Sequence, residues 1–124
     1  MGRNAMVALW CAALSACAGM AKDRRATPIE TLGSAGLGTP ALRIESGGAL
    51  TFVNADARPH QIHSPDCAEL ASTPLQPGQG YTAVIGPGPK LCHFQDLLAP
   101  LSAGYRGALL VHDEQEERRR ETQD

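Results

Sequence analysis

LRIESGGALTFVNADARPHQI, residues 42–62, is the stretch of the sequence that decides the fold. Leu42 and Ile44 alternate with charged residues, and Leu50 and Phe52 again stand two apart after a Ser-Gly-Gly step. Apolar residues at every second position indicate a strand with one buried face, and glycines between two such runs indicate a turn. The stretch therefore predicts a strand, a tight turn and a second strand.

The rest of the chain continues this pattern in short runs separated by proline and glycine. Further strands are predicted at residues 61–63, 81–85, 90–94 and 107–112, and no segment between residues 41 and 112 has a helical period. The 13 glycines and 9 prolines are scattered without a repeat. Short strands with turn residues between them are typical of a β-sandwich or a small barrel, so the sequence predicts an all-β domain.

Histidine and cysteine gather near the ends of two predicted strands. His60 and His63 precede Cys67, and Cys92 is followed directly by His93. Loops at strand ends present side chains on a rigid frame, and a thiolate with imidazoles is the ligand set of copper in electron-transfer sites. The sequence therefore predicts a metal site formed from His60, His63, Cys92 and His93.

The same residues carry a resemblance to the cupredoxins, the plastocyanin-like family of blue copper proteins. An apolar strand, a glycine, a second strand ending in Phe-x-Asn-x-Asp and a Pro-His-x-aliphatic step resemble the front half of that family. The matching residues are Gly48, Phe52, Asn54, Asp56, Pro59, His60, Ile62, Leu75, Pro77, Gly78, Cys92, Pro100, Gly107 and Val111. The resemblance implies a Greek-key β-sandwich of cupredoxin type over residues 40–113, a copper cofactor, and His60 and Cys92 as ligands by position.

The second half of the ligand pattern departs from the family. Gln95 and Leu97 stand where a second histidine is expected, and the axial methionine is absent. Strand alternation points His93 away from the face of the neighbouring cysteine, and His63 is an odd number of residues from His60. Gln95 is a candidate weak oxygen ligand, because glutamine replaces the axial methionine in some blue copper sites.

Cys67 offers a competing interpretation of Cys92. A disulfide between these two residues closes a loop of about 25 residues, for which the chain-entropy model gives about 3 to 4 kcal/mol of stabilisation. A disulfide also removes the thiolate, which is the form of cysteine that binds metals. Three alternatives are open: a structural disulfide, which we prefer, a copper thiolate at Cys92, and a redox-active cysteine pair.

The N-terminal sequence predicts an export signal. Arg3 precedes an apolar run over residues 5–13, which is too short to span a bilayer. Residues 14–17, Leu-Ser-Ala-Cys, then resemble the lipobox of bacterial lipoproteins, which implies cleavage before Cys17 and lipid attachment to it. We expect an outer-membrane anchor facing the periplasm, where disulfides are permitted. An ordinary cleaved signal peptide, which would leave a soluble protein, is the alternative.

The segments on either side of the domain are predicted from composition. Residues 1–16 are the expected signal peptide, and residues 17–39 are an expected lipidated, flexible tether with a weak strand signal at Ile29 and Leu32. Residues 114–124 are polar throughout and predict a charged, mostly disordered tail, with a few frayed helical turns as the alternative.

Two classes of function compete for this sequence. The net charge of −2 gives no argument for a nucleic-acid partner, and neither paired carboxylates nor a nucleophile motif predicts an enzyme. The leading hypothesis is a membrane-tethered cupredoxin-like protein that binds copper for single-electron transfer or copper handling, with a redox partner protein. The alternative is a non-metal, cupredoxin-shaped binding or structural module stapled by a Cys67–Cys92 disulfide.

Overall fold

The computed structural model describes residues 27–123. Within them, seven strands form two sheets that pack face to face. In chain order the elements are β1 (Ile29–Leu32), β2 (Ala41–Glu45), β3 (Ala49–Asn54), β4 (Ile62–His63), β5 (Gly80–Val84), β6 (Lys90–Asp96), a 3-10 turn (Ala103–Tyr105), β7 (Arg106–His112) and helix α1 (Glu114–Gln123). The all-β sandwich prediction is confirmed, and each strand predicted from alternation is present.

The chain passes between the two sheets at nearly every connection. One sheet has the order β1-β3-β5 and the other has the order β2-β7-β6-β4. β1 pairs with β3 and β2 pairs with β7 in parallel, whereas the other neighbours are antiparallel. Each sheet is therefore assembled from separated parts of the sequence, and the two sheets share one core.

The core is centred on Phe52 of β3. Its ring lies edge-on to the ring of Phe94 in β6, with 5.4 Å between centroids, and 6.2 Å from the ring of Tyr81 in β5. Alternation along β6 buries Cys92 and Phe94 on the same face. The apolar face predicted from the sequence is thus the face that closes against the opposite sheet.

The turn between β2 and β3 depends on its glycines. Gly47 has a φ of 80°, a left-handed conformation that side chains with a Cβ rarely adopt. A Cβ at Gly48 would lie 3.0 Å from the Glu45 carbonyl oxygen and 3.1 Å from Cγ1 of Ile44. The Ser-Gly-Gly step therefore allows the tight turn that the sequence predicts.

The tether boundary predicted at residue 39 is wrong, because β1 lies inside that segment. Ile29–Leu32 pairs with β3, with Ile29 opposite Thr51 and Leu32 opposite Asn54. Leu32 is fully buried, and the Leu37 amide donates a hydrogen bond to the Gly104 carbonyl at 2.8 Å. The folded domain therefore includes β1 and does not start at residue 40.

The prediction of a mostly disordered tail is also corrected, because Glu114–Gln123 is a helix. Asp113 caps its N-terminus by accepting hydrogen bonds from the Gln115 and Glu116 amides at 3.0 and 3.3 Å. Arg120 reaches Glu116 at 3.3 Å, one turn apart along the helix. The i,i+4 charge pairs that gave the weak helical signal are therefore formed.

The predicted signal peptide, the lipidated Cys17 and the first part of the predicted tether lie outside the described residues. Among residues 27–123, no helix is long and apolar enough to cross a membrane.

Candidate functional site

A buried histidine lies where the cupredoxin resemblance predicts the first metal ligand. His60 follows the loop after β3, and only 2 % of its surface is exposed. Its backbone is fixed in the loop by reciprocal hydrogen bonds with Leu75, at 3.0 Å from the His60 amide and 2.6 Å to its carbonyl. This main-chain pairing fixes the backbone from which the imidazole projects.

Both ring nitrogens of His60 are in contact with carboxylates. Nε2 lies 2.8 Å from Oδ2 of Asp56, and Nδ1 is in short contact with Oδ2 of Asp96. Each contact occupies one of the two ring nitrogens, whichever of them carries a proton. In this arrangement neither ring nitrogen is free to bind a metal.

Asp96 is held by the backbone around it. Its second oxygen, Oδ1, accepts hydrogen bonds from the Gln61 amide at 2.8 Å and from the Leu98 amide at 3.0 Å. The side chain is fully buried at the end of β6, and its residue pairs with Ile62 of β4. Asp96 therefore accepts hydrogen bonds on both oxygens, which is what a buried carboxylate requires.

Asp56 is held on the other side of His60. Its amide donates to Oδ1 of Asn54 at 2.9 Å, and its Oδ2 also accepts from Nε of Arg58 at 3.1 Å. Asn54 in turn donates from Nδ2 to the Arg58 and Leu75 carbonyls, both at 2.8 Å. The asparagine and the aspartate of the Phe-x-Asn-x-Asp pattern therefore hold this loop in its conformation by hydrogen bonds.

Tyr105 covers the remaining side of the imidazole. The two rings are 4.6 Å apart between centroids, and the phenol donates a hydrogen bond to the Gly33 carbonyl. Nη2 of Arg58 donates to the Tyr105 hydroxyl at 3.4 Å. His60 therefore lies between the carboxylates of Asp56 and Asp96, and Arg58 contacts Asp56 from the solvent side. We call these four residues and Tyr105 the His60 cluster.

We expect the His60 cluster to make the fold sensitive to acid, because of Asp56. The hydrogen bond from His60 is the main reason that the pKa of Asp56 lies below its ordinary value of 3.8, and Ala57 and Arg58 lower it further against the opposing effect of burial. Because this folded-state pKa is lowered, the stabilisation is present above the ordinary pKa and is lost as the pH falls through the folded-state value.

We expect the free energy of unfolding to fall below about pH 4, and to fall less in Asp56→Asn than in the unaltered chain. Urea unfolding at about pH 5.5 and about pH 2.5 measures both losses. The pKa values of Asp66 and Glu69 are also lowered, by His93 and by Lys90, but both proteins share these groups. If the free energy of unfolding falls by the same amount in both proteins between these two pH values, this role of Asp56 is contradicted.

The predicted disulfide between Cys67 and Cys92 is confirmed. The two residues are bonded, with 5.6 Å between their Cα atoms, and are 2 % and 0 % exposed. They connect the loop after β4 to the middle of β6 within the hydrophobic core. The sulfur of Cys92 is therefore bonded to Cys67, which argues against the copper thiolate expected from the resemblance.

The structure divides the predicted ligand set between two faces. His60 and Cys92 lie on the buried side, but the β6 residue beside His60 is Asp96, four positions after Cys92. His93 and His63 lie on the outer side, as strand alternation indicates. Among residues 27–123, the one group of three potential ligands within 4.8 Å is Cys67, Glu69 and Cys92, which contains the disulfide. The four predicted ligands are therefore not brought together.

Sequence reasoning missed the partners of His60. Asp56 was matched to the family pattern without a role, and neither Asp96 nor Tyr105 was singled out. One signal was available: Asp96 is two and four residues from Phe94 and Cys92, so alternation places it on the buried face at the strand end. A buried acid near a buried histidine is an ion-pair candidate.

Solved structures similar to this chain are amicyanins. A reduced Cu(I) form of an amicyanin mutant at pH 4 has a TM-score of 0.61 and 18% identity, and an oxidized amicyanin mutant has a TM-score of 0.62 and 20% identity. Each match covers 74% of this chain and 88% of the other. No protein-family model matches the chain, and no curated protein does. This likeness, together with the two packed sheets, shows that the chain has the cupredoxin fold.

Proposed function

We propose that this protein is a cupredoxin-shaped binding or structural module of the cell envelope that has no type 1 copper centre. One observation carries the proposal: both positional copper ligands are engaged, His60 by two carboxylates and Cys92 by Cys67. A type 1 site requires a free thiolate and an imidazole lone pair on the same metal. The residues present therefore do not fit this cofactor.

The proposed location follows from the export signal. Lipid on Cys17 would anchor the chain, with an outer-membrane anchor facing the periplasm as the expected arrangement. β1 runs parallel to β3 towards the His60 end, so the N-terminal segment enters at the opposite end of the sandwich. The His60 end is therefore the end of the sandwich distal to residue 27.

A contact surface for a partner protein is proposed at that distal end. Leu97, Leu98 and Leu101 follow β6 and are 40 %, 47 % and 94 % exposed. Exposed apolar residues that are close together mark interaction surfaces more often than isolated ones do. The hydrogen-bonded His60 cluster lies beneath this loop and would hold the surface rigid. In this proposal it occupies the place that a redox centre would take.

The test is a disulfide map combined with a copper titration. The denatured, unreduced chain is alkylated and digested, and we expect the Cys67 and Cys92 peptides to be recovered cross-linked and unalkylated. Adding Cu(II) to the native mature protein, with the signal peptide removed and Cys17 lipidated, should produce no intense thiolate-to-copper absorption, because Cys67 and Cys92 are bonded to each other.

The reduced chain provides the control for this test. Even with free thiols, we expect no intense colour, because Asp96 and not Cys92 lies beside His60. Intense colour in the unreduced chain would contradict the disulfide. Intense colour that appears only after reduction would contradict the closed His60 cluster.

Copper handling without a thiolate is the second candidate function. It is favoured by the position of His63 and His93 on one outer face of the sandwich.

A further inference from the structure

The outer face of the β4–β6 pair holds two histidines close together. His63 lies directly opposite Gln95, and His93 is two residues before Gln95 on the same strand. Residues two apart on a strand point to the same face, so His63 and His93 are diagonal neighbours. Diagonal neighbours in an antiparallel pair have Cα atoms about 7 to 8 Å apart, with their Cβ atoms somewhat closer.

Asp66 orients the imidazole of His93. Its Oδ2 lies 2.7 Å from Nδ1 of His93. The same oxygen accepts a hydrogen bond from the His93 amide at 3.0 Å. A hydrogen bond from Nδ1 to the carboxylate leaves the lone pair of the neutral ring on Nε2. The His93 side chain is 62% exposed, so that lone pair is available to solvent. Metal-binding histidines commonly donate their other ring N–H to a carboxylate in this way.

The disulfide fixes this arrangement from below. Cys67 directly follows Asp66, and Cys92 directly precedes His93, so the Sγ–Sγ bond links the two residues next to the contacting pair. Oγ of Ser64 also accepts hydrogen bonds from the Asp66 and Cys67 amides, at 3.2 and 3.0 Å. Asp66 and His93 are therefore held together by covalent and main-chain restraints, which reduces the ordering needed on binding.

We propose that His63 and His93 form a surface site for a borderline divalent cation, with Asp66 as the positioning residue for His93. Imidazole suits Cu(II) and Zn(II), and Cu(II) is the most tightly bound of this series at a given nitrogen site. A cleft of about 210 Å³ beside His93 is lined also by Pro65, Gln95 and Arg106 but not by His63, so the proposed site lies at its edge and not inside it.

The site is tested by titrating the full chain in detergent micelles with Cu(II), followed by calorimetry and electron paramagnetic resonance. We expect one equivalent with a type 2 spectrum and hyperfine coupling from two imidazole nitrogens. His63→Gln and His93→Gln should each lower the affinity at least about 10-fold, and Asp66→Asn should lower it about 10- to 100-fold. His112→Gln, on the neighbouring strand β7 and outside the β4–β6 pair, is the matched control and should bind like the unaltered chain.

Several outcomes would overturn the site. These are no binding, binding that His112→Gln abolishes, or binding that persists unchanged in both His63→Gln and His93→Gln. Circular dichroism and urea unfolding of each variant separate a lost ligand from a lost fold, which matters most for the half-buried His63 and His112. The disulfide map and the missing thiolate colour do not depend on this result, so failure here is distinguishable from failure of the proposed module.

Discussion

Replacing Cys67 and Cys92 together with alanine should lower the free energy of unfolding by at least about 3 to 4 kcal/mol. The bond joins residues 25 apart, so its removal frees a loop of that length in the unfolded chain. The two sulfurs lie in the core, and their loss also removes packing that the alanines do not replace. Urea unfolding of both proteins at neutral pH measures the difference.

The design of this experiment has to separate the cross-link from the packing. Removing a cross-link expands the unfolded ensemble, so the denaturant slope changes and the extrapolated free energies are compared instead of the midpoints. The unaltered chain under a dithiol reductant keeps both sulfur atoms and loses only the bond. We expect it to lose most of the same stability, and a loss below about 1 kcal/mol in both proteins would contradict the structural role of the disulfide.

Most of the sandwich could be predicted because its strands follow simple alternation. β1 gave only a weak signal at Ile29 and Leu32, since its pattern is inverted: Ile29 is 60% exposed and Glu30 is fully buried. Glu30 is kept inside by the Thr39 amide, which donates to Oε1 at 2.9 Å, and burial raises the pKa of its carboxyl. A strand of four residues with an acid on its buried face gives no readable hydrophobic period.

The sequence placed the candidate site correctly in the loop of His60 and at the end of β6. It predicted the wrong partners for His60, which contacts Asp56 and Asp96. Adjacency in the sequence grouped Cys92 with His93, although consecutive strand residues point to opposite faces. The contact of His60 with Asp96 depends on the register of β4 against β6, with Ile62 opposite Asp96. Register is set by the packing of the whole sheet and is not contained in either motif.

Replacing His60 with leucine should lower the free energy of unfolding by about 3 to 5 kcal/mol at neutral pH. Leucine is close in size to the imidazole but leaves the carboxylates of Asp56 and Asp96 facing a buried apolar side chain. An ion pair that loses one partner costs far more than the pair contributed, because the remaining charge stays away from water. Urea unfolding at one pH, with the slope held common, gives the difference.

A triple variant shows whether charge or shape is responsible. In His60→Leu combined with Asp56→Asn and Asp96→Asn, the cluster keeps its volume and loses both unpaired carboxylates, so much of the lost stability should return. Recovery would identify His60 as the partner that keeps two acids buried beneath the exposed leucines. If the single variant loses less than about 1 kcal/mol, or the triple variant is the least stable, His60 is not holding that end of the sandwich closed.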